Sequence, residues 1–272
     1  MIDLARGRRV AGGDINDAYR VPLDDGRDAF VKTRLDAPPG EYEAEAAALA
    51  WLAEPGALRV PGVIAVGDGA PRFLALEWVE AGRLDAAGEE ELGRGLARVH
   101  RAGAPAFGAF REGGDELRIS SLTFDVTPAG DWPGFYAERL LLPLAGGLPA
   151  SGRRALERVC ERMADLAGPA EPPARLHGDL WSGNVLAGAD GRAWLIDPLS
   201  YGGHREVDLA MLRLFGAPSP RTLAAYDEEH PLADGHEDRV TLYQLFPLLV
   251  HTALFGGSYA RSAEDAARRY AG

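Results

Sequence analysis

The stretch His177-Gly178-Asp179-Leu180-Trp181-Ser182-Gly183-Asn184 runs into Val185-Leu186-Ala187, a Gly188-Ala189-Asp190-Gly191 turn, and Ala193 to Ile196, which ends on Asp197. Two β-prone runs around a glycine- and aspartate-rich turn predict a short hairpin. A hairpin brings its two ends together, so Asp179, Asn184 and Asp197 are expected to converge although they are far apart in sequence. Magnesium prefers a few carboxylate or amide oxygens together with phosphate and water. Asn184 and Asp197 make such a ligand pair, with positions left open for a nucleotide. Asp179 then remains as a base, orienting an acceptor hydroxyl and taking its proton as a phosphoryl group moves in line. His177 is expected to hold the loop's shape. Taken singly, the same residues also suit turns and helix caps.

Upstream of this stretch, Arg8 to Ala11, Asn16 to Leu23 and Arg27 to Thr33 read as antiparallel strands divided by Gly12-Gly13-Asp14 and Asp24-Asp25-Gly26. Glu41 to Glu54 follows as a helix, ended by Pro55-Gly56, and Val63 to Gly67 and Phe73 to Val79 add two strands. From about Ala86 the periodicity is helical, over Glu89 to Arg101, Trp132 to Leu144, Ser151 to Leu166, Glu206 to Phe215, Pro220 to Glu229 and His236 to Phe255. The catalytic hairpin is the sole strand pair expected there. The fold class is thus α+β. Residues 1–80 form a small lobe with five strands and one helix, and residues 81–272 a larger, mostly helical one.

Of the 29 basic residues in the sequence, Lys32 alone is lysine. A compact ammonium suits a single tight phosphate contact where the broad guanidinium fork does not. An acid on the following helix would hold it, and Glu45 shares the apolar face of Ala48, Leu49 and Leu52. The loop Gly12-Gly13-Asp14 would cover the phosphates, although a plain hairpin turn explains its glycines equally well. Glu77 and Val79, at the end of the fifth strand, would offer backbone groups to adenine. Together with Asp179, Asn184 and Asp197, this lysine on the third strand follows the spacing of the protein-kinase set H-R-D-L-x-x-x-N.

The net charge of −12 argues against nucleic acid and anionic membrane surfaces as partners. The single cysteine, Cys160, excludes an intramolecular disulfide and reads as a buried structural thiol in a reducing compartment. The N-terminus shows no signal-peptide pattern and Leu245 to Gly257 is too short to span a bilayer, so a cytoplasmic protein without a membrane anchor is expected. Oligomeric state is not fixed by the sequence, and a monomer is the default.

Gly12-Gly13-Asp14-Ile15-Asn16, Phe30-Val31-Lys32, Tyr42-Glu43-Ala44-Glu45, the loop from His177 to Asn184, and Gly203-His204-Arg205-Glu206-Val207-Asp208-Leu209-Ala210-Met211 together resemble the fructosamine kinase (ketosamine 3-kinase) family over nearly the whole chain. The resemblance implies a protein-kinase-like bilobal fold, ATP and Mg2+, and phosphorylation of the 3-hydroxyl of a ketosamine, either a small adduct or a glycated protein lysine. It implies Asp179 as base, Asn184 and Asp197 as metal ligands, Lys32 and Glu45 as the phosphate-holding pair, Trp181 as a wall of the sugar site, and Asp208 as a brace for the catalytic loop. In Phe107 to Gly130, Ile119-Ser120-Ser121 and Phe124-Asp125-Val126 stand where the family is expected to carry a glycine and an asparagine. Gly178 replaces the protein-kinase arginine, and Pro198-Leu199 follows Asp197, so a phosphorylated activation loop is not expected. The alternatives are an aminoglycoside- or choline-kinase-like phosphotransferase with another hydroxyl acceptor, and a non-catalytic pseudokinase.

Overall fold

The computed structural model describes residues 2–10, 16–216 and 218–272. The candidate phosphate loop Gly12, Gly13 and Asp14 lies outside the described residues. In the N-terminal part, β1 (Arg8–Arg9), β2 (Asp17–Pro22), β3 (Asp28–Thr33), β4 (Val63–Gly67) and β5 (Phe73–Glu77) form one antiparallel sheet in the order β1-β2-β3-β5-β4. The turn between β2 and β3 places Gly26 at φ 84°, and Asp25 accepts the backbone N–H of Arg27, the self-capping behaviour of aspartate in turns. Helix α1 (Glu41–Ala53) is built almost wholly of alanine, glutamate and leucine, all good helix formers. It buries Tyr42, Ala48, Leu49, Trp51 and Leu52.

Helix α2 (Ala86–Ala102) is capped by Asp85, whose carboxylate accepts the N–H of Gly88 at 2.7 Å. The chain then forms a hairpin, β6 (Glu116–Ile119) with β7 (Leu122–Asp125), where no regular structure is expected from the sequence. The helix expected over 132–144 is instead α3 (Trp132–Gly134), a π-helical stretch (Phe135–Leu141) and a 3-10 stretch (Leu142–Gly147). Pro143 lacks the N–H that a continuous α-helix would need there. The helix expected over 151–166 divides at Arg162 into α4 (Ala150–Glu161) and α5 (Met163–Leu166). Further strands follow: β8 (Ala174–Arg175), β9 (Val185–Ala187), β10 (Ala193–Leu195) and β11 (Gly202–Gly203). β8 pairs with β11, so β9–β10 is not the only pair in this part.

Helices α6 (Glu206–Leu212) and α7 (Pro220–Glu229) are succeeded by α8 (His236–Tyr243) and α9 (Leu245–Phe255), which divide one expected helix at Gln244. Pro247 cannot donate to the Tyr243 carbonyl, so the ladder is interrupted at that point. Helix α10 (Ser258–Tyr270) is absent from the sequence expectation because its buried face is small, made of Ala263, Ala266 and Ala267.

The main core lies in the helical part around Trp132, Phe135, Tyr136, Leu156, Tyr243 and Leu249. Its polar tips are satisfied: Trp132 Nε1 donates to the Tyr243 hydroxyl at 3.1 Å, which donates to the Ala167 carbonyl at 2.6 Å. A second cluster joins Leu52 and Leu58 to Leu92, Leu96, Leu180, Leu195 and Leu209, and so crosses from the sheet side to the helical side. Arg175 adds a polar link across the same line. Its guanidinium stacks 4.5 Å from the Trp51 ring and donates to the Trp51 carbonyl and to Glu54 Oε2 at the end of α1. Cys160 is half-buried, and burial pushes its thiol up to about 12. Among the described residues no helix is long and apolar enough to cross a membrane.

Candidate active site

The β9–β10 hairpin pairs Val185 with Leu195, and the N–H of Ile196 donates to the Asn184 carbonyl at 3.1 Å. Asn184 and Asp197 are thereby held at the open end of one ladder, as the sequence predicts. The Asn184 side-chain amide donates to the Asp179 carbonyl at 2.8 Å and to Asp179 Oδ2 at 3.1 Å. Its nitrogen is thus committed to Asp179, and its amide oxygen is the group left to ligate a cation. Asp197 stands at φ 54°, a left-handed conformation uncommon for a residue with a Cβ. Such strain is concentrated where function depends on the aim of a side chain.

Lys32 projects from β3 into the space between α1 and the hairpin. Its Nζ lies 2.5 Å from Glu45 Oε2 and 2.8 Å from Asp197 Oδ1. Burial opposes charge on this lysine, but the two carboxylates outweigh it and raise its pKa. Burial also raises Glu45, against the pull of the ammonium. Lys32, Glu45 and Asp197 therefore form one polar group, and Asn184 with Asp179 a second beside it at the open end of the hairpin. Glu77 closes β5, where its side chain accepts the Gly62 N–H at 3.2 Å, and Val79 lies just beyond. The segment that follows rests on the catalytic hairpin: Gly82 N–H donates to the Ala187 carbonyl, and Ala189 N–H to that of Glu80, both at 2.8 Å.

Asp208, at the start of α6, is fully buried. It accepts the backbone N–H of His177 at 2.7 Å, that of Gly178 at 3.0 Å, and His100 Nε2 at 3.2 Å. Burial alone would raise this carboxyl, but its donors outweigh that penalty and hold it below the ordinary range. His177 lies 2.9 Å by Nε2 from the Ile196 carbonyl, to which it must donate, while Nδ1 accepts the Asp179 N–H at 3.3 Å. One neutral imidazole thereby ties Asp179 to the strand leading into Asp197, and burial lowers its pKa. Gly178 sits at φ 83°, and a Cβ there would lie 2.2 Å from the Leu199 carbonyl oxygen. That collision explains why glycine precedes the aspartate.

Asp179 has its pKa pushed up to about 6, chiefly by burial, with the charges of Asp197 and Asp208 adding to it against the Asn184 bond. A carboxylate titrating near neutrality is suited to general-base work. It opens on a cavity of about 500 Å3 whose walls include Trp181, Phe215, Phe246, His251 and Tyr259. Trp181 is 37% exposed and stands edge-on to Phe215, ring centres 6.1 Å apart. The cavity wall from α9 and α10, and the His100 brace on Asp208, are absent from the sequence expectation.

A sequence profile of the fructosamine kinases matches residues 2–271. The chain belongs to the fructosamine kinase family. A Thermus thermophilus protein named "probable ketoamine kinase" is 41% identical over 253 residues, which cover 91% of this chain and 87% of that one. An Enterococcus faecium protein of the same description is 33% identical over 94% of this chain and 92% of its own. A Thermobifida fusca crystal structure assigned as a fructosamine-3-kinase superposes with a TM-score of 0.88 at 43% identity, covering 97% of this chain and 92% of that one. The choline kinase of Streptococcus pneumoniae shares only the fold, with a TM-score of 0.63 at 17% identity over 98% and 95% of the two chains. Family membership makes the chain a kinase with a protein-kinase-like fold.

Proposed function

We propose that this chain transfers the γ-phosphoryl group of ATP to the 3-hydroxyl of a ketosamine, such as a fructosamine or ribulosamine. The observation that carries the reading is the joining of two half-sites through Lys32. It contacts Glu45 on one side and Asp197 on the other, while Asp179 faces the cavity that would receive the acceptor. Family membership supports the substrate class.

In this reading Lys32, held by Glu45, positions the α- and β-phosphates, the backbone at Glu77 and Val79 receives adenine, and Gly12, Gly13 and Asp14 cover the phosphates. The residues present fit magnesium. Asn184 offers an amide oxygen and Asp197 a carboxylate, and among the described residues no group of three or more His, Cys, Asp or Glu side chains could hold a metal by itself. That donor poverty suits an ion completed by phosphate oxygens and water. When bound, the ion would neutralise phosphate charge. Asp179 accepts the proton of the acceptor hydroxyl, Asn184 fixes the orientation of that carboxylate, and Trp181 walls the sugar. His177 and Asp208 keep the loop rigid, so little reorganisation is needed at the moment of transfer. The working unit is residues 1–80 closing over residues 81–272, the cleft between them holding nucleotide and acceptor.

The test is a coupled ATPase assay with the fructose and ribulose adducts of lysine, free and in a peptide, with magnesium present or chelated. Magnesium-dependent turnover, with phosphorus–proton coupling placing the new ester on carbon 3, is the expected result. Turnover with choline, an aminoglycoside or a free sugar, and none with the adducts, would overturn the reading.

A further inference from the structure

We propose that the end of the acceptor cavity remote from the catalytic loop is a subsite for an apolar, uncharged substituent on the ketosamine's amine nitrogen, an inference that rests on the ketosamine reading. Asp179 is the sole Asp, Glu, Lys or Arg side chain among the described residues lining the cavity. Beyond the catalytic loop the walls are Val250, His251, Leu254 and Phe255 of α9 and Tyr259 of α10, with His251 Nδ1 donating to the Pro247 carbonyl at 2.7 Å. A carboxylate or ammonium placed there would lose hydration and find no Asp, Glu, Lys or Arg among the described lining residues at that end, whereas an alkyl or aryl group would exchange water for hydrocarbon.

The aromatic lining is also continuous. From Trp181 it passes to Phe215 at 6.1 Å, to His251 at 5.0 Å, and to Phe255 and Tyr259 at 5.6 and 5.0 Å. Several ring-to-ring steps lead away from the base, so the lined surface extends past a sugar standing at Asp179. Phe255 ends this chain 69% exposed, although large apolar side chains are ordinarily withdrawn from water. Its position is fixed by backbone chemistry. Gly256 and Gly257 follow with φ 64° and 63° and ψ −142° and −132°, a region that residues with a Cβ avoid. A Cβ at either glycine would meet nothing within 4 Å, so conformation rather than crowding calls for glycine. The consequence is a reversal of chain direction that sets Phe255 and Tyr259 on the same lip of the cavity.

The fructose adducts of benzylamine and of glycine differ in what they place at this lip, a phenyl ring or a carboxylate. Initial rates with ATP should give a kcat/KM about tenfold higher for the benzylamine adduct, the scale expected from burying part of an aromatic ring. In Phe255→Arg, an exposed position where the fold is retained by far-ultraviolet circular dichroism, the ratio should fall to about one or invert as the guanidinium meets the carboxylate. Phe255→Ala should give an intermediate ratio. Equal kcat/KM for the two adducts in the parent, or a Phe255→Arg enzyme that loses both in proportion, overturns the subsite while leaving the ketosamine reading intact. Turnover of neither adduct overturns the ketosamine reading itself and the subsite with it.

Discussion

Removing the Asp208 carboxylate should damage the molecule in an amount that can be counted from its bonds. It is fully buried and accepts from His177 N–H, Gly178 N–H and His100 Nε2, at 2.7, 3.0 and 3.2 Å. Asp208→Ala leaves all three donors without an acceptor, and each buried orphan costs about 1–3 kcal/mol, so a loss of roughly 3–9 kcal/mol is expected. Asp208→Asn keeps the shape and one oxygen, but turns an amide N–H toward a donor and removes the charge, for a loss of about 2–4 kcal/mol. Both are large beside a total stability of about 5–15 kcal/mol. Equilibrium urea unfolding, followed by circular dichroism, should show a midpoint lowered by about 1 M or more, with alanine worse than asparagine. The sign with pH is set by the carboxyl lying below its ordinary range when folded. Its contribution is complete above the ordinary aspartate value of 3.8 and is lost as pH falls through the lower folded-state pKa, so parent and Asp208→Asn should converge in acid. An Asp208→Ala midpoint within scatter of the parent's, or an alanine variant sturdier than the asparagine one, would refute this account of the loop.

Asp179→Asn should lower kcat by about 10²–10⁴-fold, the usual contribution of a positioned general base, with ATP binding by calorimetry retained. In the parent, kcat/KM should climb as pH rises through about 6, because the base acts only when deprotonated. The folded pKa lies above the ordinary aspartate value of 3.8, so ionised Asp179 costs stability at neutral pH and Asp179→Asn should melt higher at pH 7; an unchanged or lower melting temperature contradicts its burial. Gly178→Ala forces a Cβ to 2.2 Å from the Leu199 carbonyl oxygen at a positive φ, so turnover should be lost along with thermal stability, and a fully active alanine variant would disprove the packing.

The convergence of Asp179, Asn184 and Asp197 was legible because a short hairpin with a polar turn leaves little freedom at its base. The pairing of Lys32 with Glu45 was legible too, since helical register places Glu45 on the face that looks into the cleft. His100 was not. A single histidine on an amphipathic helix is indistinguishable, in sequence, from one that packs in a core, and its partner lies 108 residues away. The cavity wall was hidden for a similar reason. Phe246, Val250 and Leu254 read as ordinary core residues of a helix, and only the arrangement of α9 against the loop from His177 to Asn184 turns one side of them into a cavity wall. Helix boundaries failed where backbone donors are missing, at Pro143 and Pro247, or where a buried face is made of alanines, as in α10. The positive φ of Gly178 was likewise invisible until Leu199 was placed beside it.

Arg175 stacks on Trp51 and binds the end of α1, while standing only two residues before His177. In regulated protein kinases the equivalent helix swings away, parting lysine from glutamate, and phosphorylation brings it back. Here Arg175 ties that helix to the strand that feeds the loop from His177 to Asn184, a link that opposes such a swing and holds Glu45 beside Lys32.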